Sequence, residues 1–337
     1  MIYGANGYSG DLIAKYAKQQ NMSPVIAGRN TETIKQLSDK LDLPFKVFDL
    51  IDASSVANCL NDIYLVINCA GPFSQTAKVM IEACLQSKTH YLDITGEIAI
   101  FELAKSYDKQ AQEKGIVLCP GVGFDVIPTD CLASQLKAIM PDATHLALGF
   151  DSKSGFSPGT AKTSVEGLAQ GGRIRKDDKI IKVPLAYRTR KIDFGNGEKL
   201  AMTIPWGDVS TAHFTTQIPN IEVYIPASPN LVKKLKRMNY IRPLLGLGFV
   251  QNFLKKRIEK SVRGPSDSQR AKLKTYLWGE VKNAKGETKT LRLETSNGYT
   301  LTMTGGVKMV EHTLNTDKAG YFTPSTLVND QLLNEIE

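Results

Sequence analysis

Gly4, Gly7 and Gly10 stand in GxxGxxG spacing between a short apolar run, Met1-Ile2-Tyr3, and a stretch that sets Leu12, Ile13, Tyr16 and Ala17 on one helical face. Three glycines between a strand and a helix suit one chemistry. The turn needs a residue without a Cβ, and a pyrophosphate must approach the backbone closely. The amino end of the helix then offers free N–H groups at the positive end of its dipole. Ala5, Asn6, Tyr8 and Ser9 lie between the glycines and add amide, hydroxyl and backbone contacts. A dinucleotide is the expected ligand of residues 4–10.

The end of the second strand selects among dinucleotides. An NAD-specific site places an acid there, about twenty residues beyond the glycines, to hold the ribose 2′-hydroxyl. Here the sequence reads Ala27-Gly28-Arg29-Asn30, with no acid before Glu32. Arg29 offers a planar cation to a 2′-phosphate and a flat face to the adenine, so NADP(H) is the expected cofactor. The bland reading of Arg29 is a solvated turn arginine. Asp49, closing the third strand, either accepts from the adenine amine or caps the next turn. Ala70, Gly71 and Pro72 close the fourth strand, where the nicotinamide-side backbone normally runs; they would also serve simply to end it.

Hydride transfer needs groups that hold or protonate developing charge and exclude water. Tyr91, Asp93, Thr95, Glu97, Asp125 and Asp130 belong to loops expected at the carboxyl ends of parallel strands, where such sheets bind ligands. Tyr91 is a candidate proton donor, and Asp125 a candidate acid or orienting group. Thr95, Gly96, Glu97 and Phe124 are expected on the substrate side. Turn and cap duty competes for each carboxylate. His213, in GDVSTAHF, is a third catalytic candidate, weighed against a satisfied structural histidine. The four histidines, at 90, 145, 213 and 312, lack ligand spacing such as HxxxH, so no metal is expected. Tyr187 and Lys191 have i, i+4 spacing in strand-like sequence, where the two would not meet.

Positioning these residues takes alternating elements. Strands are expected at SPVIAGRN, PFKVFDL, YLVINCAGPF, THYLDIT and GIVLCPG, with helical patterns between them. The first strand has three residues before Gly4, so it is thin or the native start lies upstream of Met1. Beyond about residue 130 the pattern changes to alternating, β-branched runs: THLALGFDS, KIIKVPLAY, TRKIDFG, KLAMTIPWGD, TKTLRLETSN and YTLTMTGG. Helices are expected near 160–171 and 230–260, and TPSTLVNDQLLNEI reads as a terminal helix. The expected fold class is α/β: a Rossmann-like parallel sheet over 1–130, followed by an α+β domain with a mixed or antiparallel sheet over 131–305. Residues 306–337 pack back on the first domain, and a homodimer through the second sheet is expected on symmetry frequencies alone.

The net charge of +8 is local. Between Lys233 and Arg263 stand ten Lys or Arg against one acid, Glu259, so the remainder is close to neutral. Apolar blocks interrupt the cations. Three readings compete for this segment: a packed helix pair with a solvated cationic face, the cover of an acyl-substrate channel, or peripheral contact with an anionic membrane. Nucleic acid is not an expected partner, because the aromatics are not spaced as stacking platforms. The five cysteines, at 59, 69, 84, 119 and 131, form no CxxC pair and read as buried free thiols in a reducing, cytoplasmic setting.

The chain resembles the saccharopine dehydrogenase-like oxidoreductases, and within them the branch containing the trans-acting enoyl reductases and saccharopine dehydrogenase-like proteins. The matching strings are GANGYSG at 4–10, AGRN at 27–30, NCAGPF at 68–73, YLDITGE at 91–97 and PGVGFDVIPTD at 120–130. SPGTAKTSVEG at 157–167, PWGDVSTAHF at 205–214 and YFTPST at 321–326 extend the likeness along the chain. The resemblance implies an NADP(H)-binding Rossmann-like domain, an α+β domain with an open sheet, and a C-terminal helix returning to the first domain. It places Gly4, Gly7 and Gly10 in the dinucleotide turn and Arg29 after the second strand, and it leaves the substrate open.

The leading expectation is an NADP(H)-dependent oxidoreductase acting on a small-molecule or acyl substrate, with a lipid-like enoyl or carbonyl compound in view. A non-catalytic NADP(H)-binding redox sensor or membrane-associated scaffold is the first alternative. The second is an amino-acid dehydrogenase, which would need a cationic carboxylate pocket such as Arg173, Arg175, Arg188 and Arg190 would build.

Overall fold

Short apolar runs separated by amphipathic helices can bury both faces of each strand only in a parallel, helix-covered sheet. The computed structural model describes residues 1–153, 167, 169–242, 247, 248, 250–252, 270 and 272–336. It alternates β1 (Ile2–Tyr3), α1 (Tyr8–Gln19), β2 (Ile26–Gly28), α2 (Thr31–Leu41), β3 (Phe45–Val47), α3 (Ala53–Leu60), β4 (Leu65–Asn68) and α4 (Phe73–Ser87). β5 (His90–Asp93), α5 (Ile98–Ser106), α6 (Asp108–Lys114) and β6 (Val117–Cys119) follow. The strands are parallel in the order β3-β2-β1-β4-β5-β6. The order in which strands are added reverses between β1 and β4, which makes their carboxyl ends the topological switch point. β1 is as thin as its sequence requires.

The chain divides into two compact units, residues 1–127 with 299–337 and residues 128–298. The second unit holds α7 (Ile127–Ile139, its first residue counted with the first unit), β7 (Ala143–Ser152), β8 (Gly172–Lys176), β9 (Lys179–Val183), β10 (Thr189–Asp193) and β11 (Glu198–Ile204). α8 (Asp208–Thr216), β12 (Asn220–Pro226), α9 (Pro229–Met238), β13 (Thr275–Asn283) and β14 (Thr288–Thr295) complete it. Its mixed sheet runs β10-β11-β12-β7-β13-β14, with β8 joining β12 to β9. β7 and β12 are parallel and the remaining pairs antiparallel. Gly279 lets α7 lie close, since a Cβ there would stand 2.5 Å from the Leu136 side chain.

The chain's return to the first unit departs from its pattern. YTLTMTGG, which alternates like a strand, is the start of a helix, α10 (Gly298–Leu314). The threonines are accommodated because their hydroxyls bond back one turn: Thr304 donates to the Thr300 carbonyl at 3.1 Å and Thr313 to that of Met309 at 2.7 Å. Gly305 and Gly306 then bring the helix against Ile127 and Ile67. β15 (Gly320–Tyr321) adds a seventh parallel strand beside β6. The expected terminal helix is two short ones, α11 (Pro324–Leu327) and α12 (Leu332–Ile336). Most of the SPGTAKTSVEG string and of the expected helix near 160–171, and much of the segment 243–263, lie outside the described residues.

Candidate functional site

Gly4 leaves β1 with φ +77°, a left-handed conformation that a side chain disfavours, and a Cβ there would meet the Ala70 amide nitrogen at 2.8 Å. The ends of β1 and β4 are therefore in backbone contact. Gly10 faces inward: its Cβ would stand 2.4 Å from the Gly4 carbonyl and 2.8 Å from Ala5 Cα, so only glycine lets α1 close onto the turn. Gly7 is the exposed N-cap of α1, with φ −80°, and a Cβ would meet only the Gly4 carbonyl at 3.2 Å. Gly7, as N-cap, has no side chain with which to cap the first turn of α1. This glycine cradle at a helix start, opening at the switch point, fits a pyrophosphate. Ala5 is buried, Tyr8 and Ser9 are half-buried, and the Tyr8 ring meets Tyr299 of α10 edge-on at 5.0 Å.

A second cluster stands at the ends of β2 and β3. The Asn30 side chain accepts from the Thr33 N–H at 3.0 Å and caps α2. Asn6 donates to the Thr33 hydroxyl at 3.0 Å, so the glycine turn and the post-β2 turn are tied together. Gly28 makes room for this contact, a Cβ there being 3.0 Å from Asn6 Oδ1. Arg29 is exposed and makes no ion pair or hydrogen bond among the described residues. Nearby, Tyr3 packs its ring on Phe48 at 4.9 Å and donates to the Phe48 carbonyl. Asp49 is exposed and accepts from the Leu50 N–H at 2.8 Å, which is turn duty and leaves its second carboxylate oxygen in solvent.

The loop after β4 is braced from both sides. Asn68 accepts from the Ala70 N–H at 3.1 Å, and the Thr76 hydroxyl donates to the Ala70 carbonyl at 2.7 Å. Both carboxylate oxygens of Glu97 accept from backbone N–H groups at the start of α4, Phe73 and Ser74, each at 3.0 Å. Glu97, expected on the substrate side, thus caps the helix that follows Gly71 and Pro72. No string in the sequence marks this partnership, because it spans two loops. An Asn closing a strand before Cys-Ala-Gly-Pro is a readable turn signal, and Asn68 is the residue it would have found.

The ends of β5 and β6 meet on Asp93. This fully buried carboxylate accepts from the Tyr91 hydroxyl at 2.6 Å and from the Thr95 and Gly121 N–H groups at 2.9 Å each. Burial pushes its pKa up to about 6 against these bonds. Tyr91 is buried completely, and burial followed by the Asp93 charge drives its phenol well above the ordinary range. The Tyr91 hydroxyl is thus engaged in the interior by Asp93. Thr95, also fully buried, accepts from the Glu97 N–H at 3.1 Å and shapes the loop rather than lining a surface.

Asp125 behaves differently. It is half-buried beside Gly96, where a Cβ would come within 2.8 Å of its Oδ2, and burial raises its pKa to about 7. Phe124 next to it donates its N–H to the Thr302 hydroxyl of α10 at 3.0 Å. A carboxyl whose folded-state pKa lies above its unfolded value of about 3.9 loses folding stability as pH rises between the two values. Asp125→Asn should therefore match wild type near pH 4 and exceed its stability by about 1–2 kcal/mol at pH 8, after allowance for partial solvation. Urea unfolding across pH 4–8 measures the slope; equal slopes in the two proteins would remove this carboxyl as its source.

His213 lies in the second unit on α8, half-buried, with Nδ1 3.1 Å from the Ile218 carbonyl and 3.9 Å from Asp178 Oδ1. These contacts are what a structural histidine makes. Asp130 is fully buried and accepts from the Thr215 hydroxyl. Three of the cysteines are buried and two half-buried, none in a disulfide. Among the described residues no three His, Cys, Asp or Glu side chains are grouped to hold a metal ion, and no helix is long and apolar enough to cross a membrane. The four arginines weighed as a carboxylate pocket are engaged. Arg175 is buried and donates to the Val209 and Asp178 carbonyls, and Arg173 to those of Gln170 and Gly172. Arg188 pairs with Glu222, and Arg190 forks onto both oxygens of Glu280.

Comparison with known proteins agrees with this geometry. Residues 1–119 match the saccharopine dehydrogenase NADP binding domain family. A lipid droplet localized protein of Caenorhabditis elegans is 25% identical over 272 residues, covering 72% of this chain and 63% of that protein. A trans-acting enoyl reductase of Mycobacterium ulcerans is 29% identical over 138 residues, covering 39% of this chain and 33% of that protein. The chain thus spans less than two thirds of the length of these relatives. Apo saccharopine dehydrogenase (L-Glu forming) from Saccharomyces cerevisiae shares the fold, with a TM-score of 0.66 at 13% identity over 99% of this chain and 96% of that one. The parallel sheet with its glycine turn and the mixed sheet that follows it accord with these likenesses: the first third of the chain matches the saccharopine dehydrogenase NADP binding domain, and the chain is similar to saccharopine dehydrogenase-like oxidoreductases.

Proposed function

We propose that this chain is an NADP(H)-dependent oxidoreductase that reduces a lipid-like enoyl or carbonyl compound. The observation that carries the cofactor is the glycine cradle at the β1/β4 switch point together with the exposed Arg29 at the end of β2, which has no ion pair or hydrogen bond among the described residues. Gly4, Ala5, Asn6, Gly7, Tyr8, Ser9 and Gly10 would hold the pyrophosphate. Arg29 and Asn30 would hold the adenosine 2′-phosphate, with Asp49 beside them. Ala70, Gly71 and Pro72 would carry the nicotinamide side. When bound there, the nicotinamide would supply the hydride for an electron-poor carbon of the substrate. Asp125, whose carboxyl burial keeps partly protonated near neutral pH, is the group we assign to holding or handing on the proton. Tyr91 acts through Asp93 as a positioning residue. The likeness to a trans-acting enoyl reductase supports the lipid-like substrate. The engagement of Arg173, Arg175, Arg188 and Arg190 within the fold counts against an amino-acid dehydrogenase.

Calorimetric titration of the protein and its Arg29→Ala variant with NADPH and NADH tests the cofactor assignment. Loss of a charge-assisted phosphate contact should weaken NADPH about thirty-fold and leave NADH unchanged. Equal affinity of the unaltered protein for both nucleotides would sink the assignment. With NADPH bound, consumption of its absorbance by enoyl and carbonyl lipids reads the substrate. Tight binding with no consumption would favour a nucleotide-binding sensor instead.

A further inference from the structure

Helix α9 carries two unlike stripes. On its inner stripe Val232 packs with Ala186 and Met202, with Leu235 against the same cluster. Asn239, one turn on, accepts from the Leu185 N–H at 2.8 Å and donates to its carbonyl at 3.2 Å. Ser228 caps the other end through the Leu231 N–H. The helix is thereby fixed to the second sheet. Its outer stripe and the turn that follows it form a shallow groove of Asn230, Lys233, Lys234, Arg237, Met238 and Ile241.

Lys233, Lys234, Lys236 and Arg237 are all exposed, and none has an ion-pair partner among the described residues. Helices elsewhere in the chain set acids beside their cations, as in Lys15–Asp11, Lys105–Asp108 and Lys308–Glu311. On α9, Lys233 and Arg237 face each other at i, i+4, an arrangement that costs a few tenths of a kcal/mol where nothing offsets it. Apolar groups stand among the charges: Leu231 is 41% exposed, Tyr240 89% and Ile241 50%. Cations alone would suit any polyanion. Cations around an exposed tyrosine and branched aliphatics suit a surface that is charged at the headgroups and apolar beneath them.

We infer that the outer stripe of α9 and the turn after it seat this protein on an anionic lipid bilayer, with Lys233, Lys234 and Arg237 at the headgroups and Tyr240 and Ile241 of the turn reaching the acyl boundary. This inference does not depend on the nucleotide reading. Flotation of the full chain with vesicles of phosphatidylcholine, with and without about one third phosphatidylserine, tests it. Binding should require the anionic lipid and fall as salt rises. Replacing all three cations (Lys233→Gln, Lys234→Gln, Arg237→Gln) should lower partitioning about a hundred-fold. Tyr240→Ser with Ile241→Ser should weaken it without changing the salt dependence. Both sets are exposed, so melting curves should be unchanged. No binding to anionic vesicles, or undiminished binding of the triple variant, would overturn the inference. So would release by soluble tripolyphosphate or duplex DNA combined with no effect of the Tyr240 and Ile241 changes, since α9 would then read phosphate alone.

Discussion

Gly4→Ala is expected to weaken NADPH binding about a hundred-fold or more and to lower the melting temperature of the protein as well. The left-handed backbone at φ +77° costs a β-carbon about 1–2 kcal/mol on its own. The added methyl also points at the Ala70 backbone, 2.8 Å away at the nitrogen and 3.0 Å at Cα, so the chain after β4 must retreat. Both walls of the crevice move together. Gly10→Ala should do the same by another route, lifting α1 from the Gly4 carbonyl and Ala5. Gly7→Ala separates fold from ligand. Its φ of −80° suits alanine and its one close neighbour is the Gly4 carbonyl at 3.2 Å, so its melting temperature should be near that of wild type. Its affinity should still fall, because the methyl stands where a pyrophosphate must approach. Calorimetric titration beside thermal melts of the three variants decides the matter. If Gly7→Ala bound NADPH like wild type while the other two failed, the defect would lie in folding and the cradle would lose its claim to the ligand.

Features that depend on what a residue lacks, or on one position along a strand, could be read from the sequence. Glycine without a Cβ signals the tight turn directly, and the position of Arg29 just after β2 follows from the strand pattern. The parallel sheet follows from buried runs between helical patterns. Partnerships between distant loops could not be read. Glu97 looks like any acid beside a ligand-binding loop until Phe73 and Ser74 arrive against it. Alternation likewise passes over β12 and β13, whose Glu222 and Glu280 weaken the apolar pattern and gain their reason only from Arg188 and Arg190 on other strands. In α10 the alternation of Thr300, Thr302 and Thr304 with Leu301 and Met303 mimics a strand. The helix prevails because the Thr304 hydroxyl has the Thr300 carbonyl one turn back and the glycine pair can pack closely.

The same distinction sets the second large effect, at Asp93. Asp93→Ala should destabilise the protein by about 4 kcal/mol and lower its melting temperature by about 10 °C, because three buried donors lose their acceptor together. Those donors are the Tyr91 hydroxyl and the N–H groups of Thr95 and Gly121, which tie the ends of β5 and β6. Tyr91→Phe removes one of the three and leaves the carboxylate two, so its cost should be smaller, about 1–2 kcal/mol. Combined with Asp93→Ala it should add almost nothing, since the bond is already gone. Asp93→Asn keeps an acceptor for both N–H groups and should fall between the two. The pH dependence gives its sign. Asp93 has a folded-state pKa of about 6, raised above the unfolded value, so wild type loses stability through this group as pH rises from about 4 to about 6. Asparagine does not titrate, so its deficit should shrink across that window and stay constant above it. A deficit that grew instead would mean that Asp93 is stabilised as a carboxylate, and that its hydrogen bonds outweigh its burial.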